Sequence, residues 1–247
     1  MAHTTSKQRL DTLLVDRGLV ESRQRAQARI LAGEVSVDGN KVTKAGTQVP
    51  IGSKITIADT SLAYVSRGGL KLEEAFRVFN IDVRGLACLD VGASTGGFTD
   101  CLLKHGAGHV TAIDVGYGQL HWKIRSDPRV TVLERTNIRY LAATALPSSA
   151  DLVCVDVSFI SLKIVVPAVL KLLKRPGQII CLVKPQFEVG RGLVGKGGVV
   201  RDPTLHQQVV EDLSTTFQKL NLSVAGVIPS PILGPKGNKE FLMHLLQ

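Results

Sequence analysis

Two apolar runs in this chain end abruptly on charge. Asp151-Leu152-Val153-Cys154-Val155 leads to Asp156, and Ile179-Ile180-Cys181-Leu182-Val183 leads to Lys184. A lysine directly after five apolar residues is not a random surface charge. A carboxylate and an ammonium held at one edge can orient and activate a weak nucleophile. The bland reading of Asp156 is a capping aspartate. A third run, 86–91, passes straight into Asp90-Val91-Gly92-Ala93-Ser94-Thr95-Gly96-Gly97-Phe98. Glycines at a strand end let a ligand approach the backbone closely. The spacing is neither G-x-G-x-x-G nor a phosphate loop ending in Gly-Lys-Ser/Thr. Ala112-Ile113-Asp114 closes the next run, where nucleoside-binding folds keep an acidic residue for a ribose. A helix cap is the competing role for Asp114, but Val115-Gly116 is a poor helix start.

These residues need a sheet to gather them. Strands are predicted over 86–91, 110–115, 130–133, 152–157 and 178–183, with helical stretches between them, among them 98–105 and 162–173. Two late strands, 222–228 and 240–246, complete seven. The alternation predicts a parallel α/β sheet, which binds ligands at the carboxyl ends of its strands. Three features there have two readings each. Asn137, after the third strand, offers its amide to a base edge or forms a turn. Phe159 packs against cofactor or base, or sits in the core. Tyr117, His121 and Trp122 line a pocket or serve stability, with stability preferred for Trp122. The stretch 190–200, with five glycines, is expected to be a mobile loop.

Residues 1–61 follow another pattern. Leu10, Leu13 and Leu14 mark a short helix closed near Gly18, and Ser22 is placed to cap a second helix over 23–31. Strands at 35–37 and 41–42 flank the hairpin signal Asp38-Gly39-Asn40, and a last strand, 54–57, follows the turn at Pro50-Ile51-Gly52. Arg25 and Arg29 share one helix face. The chain has 247 residues, 44% of them hydrophobic, and a net charge of +9. That length allows one ordinary domain plus a small one. The charge leaves open a polyanionic partner or a merely basic enzyme. No apolar run reaches the roughly 18 residues of a membrane-spanning helix, and the polar N-terminus lacks a signal-peptide core. Cys88, Cys101, Cys154 and Cys181 form no C-x-x-C pair, so reduced thiols and a cytoplasmic location are expected, without a metal site.

Several of these motifs resemble known families. Asp90 followed by Gly92 and Gly96 resembles the first motif of S-adenosylmethionine methyltransferases. The run Arg9-Leu10-Asp11, Gly18-Leu19-Val20, Ser22-Arg23, Ala26, Ile30, Gly33, Val35, Val37 and Gly39 resembles the S4-type RNA-binding domain. The order Lys71, Asp156, Lys184, Glu240 is similar to the tetrad of FtsJ-like ribose 2'-O-methyltransferases. The match is closer still to the TlyA family, which joins an S4-type domain to an FtsJ-like one. Val65-Ser66-Arg67-Gly68-Gly69-Leu70-Lys71-Leu72, Asp156-Val157-Ser158-Phe159, Lys184-Pro185-Gln186-Phe187-Glu188, Ser230-Pro231 and Gly234-Pro235-Lys236-Gly237-Asn238 all follow that pattern. Where some members carry Arg-x-Trp-Val between the domains, this chain has Leu62-Ala63-Tyr64-Val65, which leaves the role of that linker open.

The resemblance implies a Rossmann-like, seven-stranded α/β methyltransferase sheet with a small N-terminal α+β domain. It places an RNA-binding domain at 1–61, a linker at 62–67 and a catalytic domain at 68–247. It implies S-adenosylmethionine as cofactor, held by Asp90, Gly92, Ala93, Ser94, Thr95, Gly96, Gly97, Phe98, Asp114, Asn137, Asp156 and Phe159. Arg9, Arg23, Arg25, Arg29 and Arg67 are then expected to meet RNA, mostly through phosphates and shape. The implied reaction is ribose 2'-O-methylation of ribosomal RNA, at a cytidine of the large subunit, with the small subunit a further candidate. Lys184 would bind and activate the hydroxyl, while Asp156 and Glu240 orient the lysines; which lysine acts is open, as is the oligomeric state. Methylation at a base carbon often employs a cysteine, and no cysteine here lies in a catalytic-looking loop. Two other functions compete: a non-catalytic RNA-binding protein, disfavoured by the intact tetrad, and a haemolysin-like membrane-active protein, disfavoured by the lack of a spanning segment.

Overall fold

The computed structural model describes residues 6–20, 22–31, 33–57 and 63–247. The chain divides into two compact units, Met1–Ser61 and Leu62–Gln247. The polar stretch 1–5 and the 61/62 boundary lie outside the described residues.

The first unit comprises β1 (Lys7–Arg9), α1 (Leu10–Asp16), α2 (Arg23–Leu31), β2 (Val35–Val37), β3 (Asn40–Lys41), β4 (Gln48–Pro50) and β5 (Ile55–Ile57). Leu10, Leu13 and Leu14 of α1 and Ala26 and Ile30 of α2 close over Val35, Val37 and Val49 in one small core. Gly18, at φ +66°, ends α1 in a conformation that glycine adopts without steric cost. Asp38 and Gly39 are both left-handed, at φ +49° and +81°, as a two-residue hairpin between β2 and β3 requires. β1 and β4 pair antiparallel. Neither was predicted: unlike β2, they are not flanked by a local hairpin signal, and Lys7-Gln8-Arg9 is wholly polar.

The second unit comprises α3 (Gly68–Phe79), β6 (Ala87–Val91), α4 (Gly97–Lys104), β7 (His109–Ile113), α5 (Trp122–Arg125), β8 (Val130–Leu133), β9 (Ala150–Val155), α6 (Leu162–Val169), β10 (Leu173–Val183), α7 (Pro185–Glu188), α8 (Pro203–Gln218), β11 (Ser223–Pro229) and β12 (Phe241–Leu246). Its seven strands lie in the order β11-β12-β10-β9-β6-β7-β8. The five from β10 to β8 run parallel, while β12 is antiparallel to both β10 and β11. Central strands are buried on both faces, so they read as unbroken apolar runs. Val153 and Val155 point into a layer with Val166 and Phe217, whereas Leu152 and Cys154 face Leu72, Phe98 and Leu102. α3 and α8 were not predicted as elements. Asp202 caps α8 and Pro203 occupies its first turn, a start signal present in the sequence. The helix expected over 162–173 stops at Val169, since β10 claims the chain from Leu173. Residues 190–200 hold a 3-10 turn (Arg191–Leu193) and a bridge between Gly195 and Val199.

Candidate active site

The register sets the site. Asp90 pairs with Cys154 and Cys154 with Ile180, so β6, β9 and β10 end level at one edge. Asp156 leaves β9 and Lys184 leaves β10 there. Lys184 Nζ stands 2.5 Å from Asp156 Oδ1 as an ion pair, and its hydrogen bond goes to Ser158 Oγ at 3.0 Å. Glu240, just ahead of β12, meets Lys71 of α3, with Lys71 Nζ donating to Oε2 at 2.5 Å. Both members of that second pair are buried. All four tetrad residues line one cavity of about 230 Å³. A buried charge survives only beside a counter-charge, and two opposite pairs meet that condition.

The glycine turn forms much of the remaining cavity wall, through Gly92, Ala93, Ser94, Thr95, Gly97 and Phe98, with Ser66, Gly68 and Pro235 completing it. A Cβ on Gly92 would run into the backbone carbonyl of Asp156, and the φ of +88° is itself a glycine conformation. Gly96, at φ +95°, opens α4. Asp90 lies beneath the turn and is fully buried. Its Oδ2 accepts from Thr99 Oγ1 at 2.6 Å, and burial pushes the carboxyl up to about 7. Asp114 ties the turn to β7: its oxygens accept the Ser94 N–H at 2.8 Å and the Gly116 N–H at 2.7 Å. It caps no helix. Ala93 and Ser94 also line a crevice with Asp114, Gly116, Gln119 and Glu134.

The structure separates the paired readings. Asn137 Oδ1 accepts the Arg139 N–H at 3.1 Å and caps a 3-10 turn (Ile138–Tyr140), so its carbonyl serves the turn. Phe159 is not a core residue: it is 90% exposed, at φ +63°, and its ring centroid lies 5.0 Å from that of Phe187. Both rings line a cavity of about 330 Å³ that shares Lys184 and also holds Ser158, Gln186 and Lys236. Trp122, preferred as a stabilising residue, is instead exposed, because the short α5 turns it away from the sheet.

The five arginines fall in both units. Arg67 is exposed at the start of α3. In the first unit Arg9 Nη2 and Arg23 Nε hold the buried Asp11 at 2.9 and 3.0 Å, which keeps that carboxyl well below the usual carboxylate range. Arg29 lies 3.8 Å from Glu34, and Arg25 is exposed.

Sequence reasoning missed Ser158, the hydrogen-bond partner of Lys184, although it stands two residues after Asp156. It also missed Asn238, whose buried amide donates to Gly198 O at 3.0 Å and accepts from Val200 N at 3.2 Å, clamping the glycine stretch. It overlooked that Cys101 of α4 and His105, which caps that helix, meet Glu73, with potential ligand atoms within 4.8 Å of one another. That carboxylate already accepts from the Tyr64 hydroxyl and pairs with His105 Nε2 at 2.7 Å.

A mostly parallel sheet with a glycine turn after its first strand and an acidic residue after the second defines the Rossmann-like methyltransferase class. The FtsJ-like methyltransferase model matches residues 64–246, and the S4 domain model matches 8–55. A Mycobacterium tuberculosis protein named 16S/23S rRNA (cytidine-2'-O)-methyltransferase TlyA is 50% identical over 238 residues, covering 96% of this chain and 89% of the relative. A Bacillus subtilis protein named as an rRNA methyltransferase, YqxC, is 46% identical over 98% of this chain and 86% of its own. A solved structure from Streptococcus thermophilus, named as a hemolysin, superposes with a TM-score of 0.78 at 42% identity, covering 99% of this chain and 90% of that one. The chain belongs to the TlyA family, in which an S4 domain precedes an FtsJ-like methyltransferase domain.

Proposed function

We propose that this protein transfers a methyl group from S-adenosylmethionine to the ribose 2'-hydroxyl of a cytidine in ribosomal RNA, with large-subunit RNA the first substrate and small-subunit RNA a further one. The observation that carries the reading is the convergence of two lysine–carboxylate pairs on the cavity walled by the glycine turn. The FtsJ-like match and the names of the relatives support the same reaction.

The chain's residues fit the cofactor. Asp114 and Glu134 supply acceptors suited to ribose hydroxyls, and Gly92 leaves room beside the backbone. Asp156 Oδ1 is matched by the Lys184 ammonium, while Glu240 Oε1 is buried without a hydrogen-bond partner among the described residues and leaves one acceptor at the cavity wall. S-adenosylmethionine, when bound, supplies an electrophilic methyl on a positively charged sulfur. Lys184 binds the 2'-hydroxyl and, with Asp156, aims its oxygen; as a neutral amine it takes the hydroxyl proton while the methyl is transferred, and as an ammonium it stabilises the developing oxyanion while the proton passes to Asp156. Ser158 orients the Lys184 ammonium. Glu240 holds Lys71 in place, and Lys71 offsets the acidic groups around it. Phe159 and Phe187 offer ring faces beside Lys184 to the target base. Arg9, Arg23, Arg25, Arg29 and Arg67 meet RNA phosphates. The working division is RNA recognition in 1–61 and catalysis in 68–247, with 62–67 between them, in the cytoplasm.

Some relatives carry hemolysin names, but no helix among the described residues is long and apolar enough to cross a membrane. The decisive experiment maps ribose methylation on ribosomal RNA from cells with and without the gene. Loss of one or two cytidine marks, restored by the intact gene and not by a Lys184→Ala version, is the expected result. An unchanged methylation map would refute the assignment.

A further inference from the structure

Besides Phe159, three more large rings stand in solvent on the second unit. Tyr117 is 67% exposed, Trp122 63% and Tyr140 77%. Side chains of this type are usually drawn inward, so several left outside along the segments after two neighbouring strands point to an interaction surface. Each ring carries a cation on its face. The Arg135 guanidinium lies 4.3 Å from the Tyr117 centroid, Lys123 Nζ 5.8 Å from Trp122, and the Arg139 guanidinium 5.0 Å from Tyr140.

The rings occupy the segments that follow β7 and β8, at the sheet edge where Asp114 sits. Those segments are stitched together. Arg135 N–H donates to Gly116 O and Thr136 N–H to Asp114 O, both at 2.9 Å. Glu134 Oε1 accepts from the Gly118 N–H at 2.9 Å and from Arg125 Nη2 at 2.5 Å. Tyr117 and Trp122 therefore belong to a braced segment rather than a loose loop tip, and Tyr140 stands on the 3-10 turn that follows it after β8.

Rings interleaved with cations fit one partner chemistry well. Unpaired nucleotides stack their bases on aromatic faces or on guanidinium planes while lysines and arginines meet the phosphates. A protein partner would instead favour a patch whose centre is depleted of charge, and a duplex offers no free base faces. We propose that this edge is an RNA contact surface of the catalytic unit, a stacking platform for unpaired nucleotides flanking the methylated ribose. The proposal rests on the reading of RNA as substrate and adds where in this unit, and in what conformation, the RNA is held.

Trp122 is the single tryptophan of the chain, so it reports on this surface directly. The full-length protein is titrated with a short single-stranded oligoribonucleotide, and separately with a duplex of the same length. Indole emission and the anisotropy of an end-labelled copy of each RNA are followed together. The expected result is quenching of Trp122 in step with single-strand binding and little quenching by the duplex. Trp122→Ala and Tyr140→Ala should each weaken single-strand binding by roughly 5- to 150-fold. Trp122→Phe should retain most of it, and all three variants should bind S-adenosylmethionine as the parent does. RNA binding that leaves Trp122 emission unchanged, or alanine variants that bind RNA like the parent, overturns this surface while leaving the reaction intact. An emission change on raising protein concentration without RNA overturns it in favour of a self-association face. Failure of any RNA to bind overturns it together with the substrate reading.

Discussion

Lys184 and Asp156 stand as an ion pair, so the Lys184→Ala substitution tests more than one charge. Methylation of ribosomal RNA should fall by roughly 100- to 10,000-fold, the usual contribution of a positioned proton-transfer group. S-adenosylmethionine binding, measured by calorimetry, should survive. The Lys71–Glu240 pair has a different signature because both partners are buried. Glu240→Leu strands the Lys71 ammonium and should cost about 3–5 kcal/mol in urea denaturation. The double replacement Lys71→Met/Glu240→Leu should regain most of that stability and none of the activity. If the double variant were as unstable as the single, the pairing energy would lie elsewhere. Asp90 makes a pH prediction. Burial raises its carboxyl from 3.8 to about 7 in the folded chain. Between about pH 4 and 7 the folded state therefore keeps a proton that the unfolded state releases, so stability falls as pH rises through that window. The slope from this group is at most about 1.4 kcal/mol per pH unit. Asp90→Asn should flatten that part of the Tm-against-pH curve, and an unchanged slope would count against a protonated Asp90.

The turn between β6 and α4 depends on what glycine lacks. At Gly92 the positive φ and the carbonyl of Asp156 leave no place for a methyl group. Gly92→Ala should force β6 and β9 apart at the point where cofactor and catalytic pair meet. A loss of at least about 1–2 kcal/mol in stability is expected, and a larger loss in S-adenosylmethionine affinity by calorimetry, with the secondary structure retained in circular dichroism. The edge strand 130–133 was legible to the residue; the central strands were legible because burial on both faces writes an unbroken apolar run, although β10 begins at Leu173, five residues ahead of the expected start. β1 and β4 were not legible. No hairpin signal joins them as it joins β2 and β3, and their pairing joins segments some forty positions apart, Lys7 with Pro50. The N-terminal helices were found because leucines at helical spacing and glycine stops are local signals.

Across the molecule, the excess of thirty basic over twenty-one acidic residues predicts salt-sensitive RNA binding. Neutralising several phosphates releases counterions, so affinity for ribosomal RNA should drop by at least about tenfold between roughly 50 and 200 mM salt. A filter-binding series checks this, and a flat salt response would mean that the arginines do not face the backbone of the RNA. By itself the sequence determined the division into an S4-like and an FtsJ-like segment, the seven strand segments along the chain and the four charged residues. All of these are written in motifs, in apolar runs and in charges placed directly at their ends. The tertiary structure decided which lysine faces which carboxylate. It also decided that Ser158 holds Lys184, that Asn137 serves a turn, and that Phe159 and Trp122 stand in solvent. Those outcomes depend on strand register and on the path of loops between strands. Both are set by packing between residues far apart in the chain, which no local pattern records.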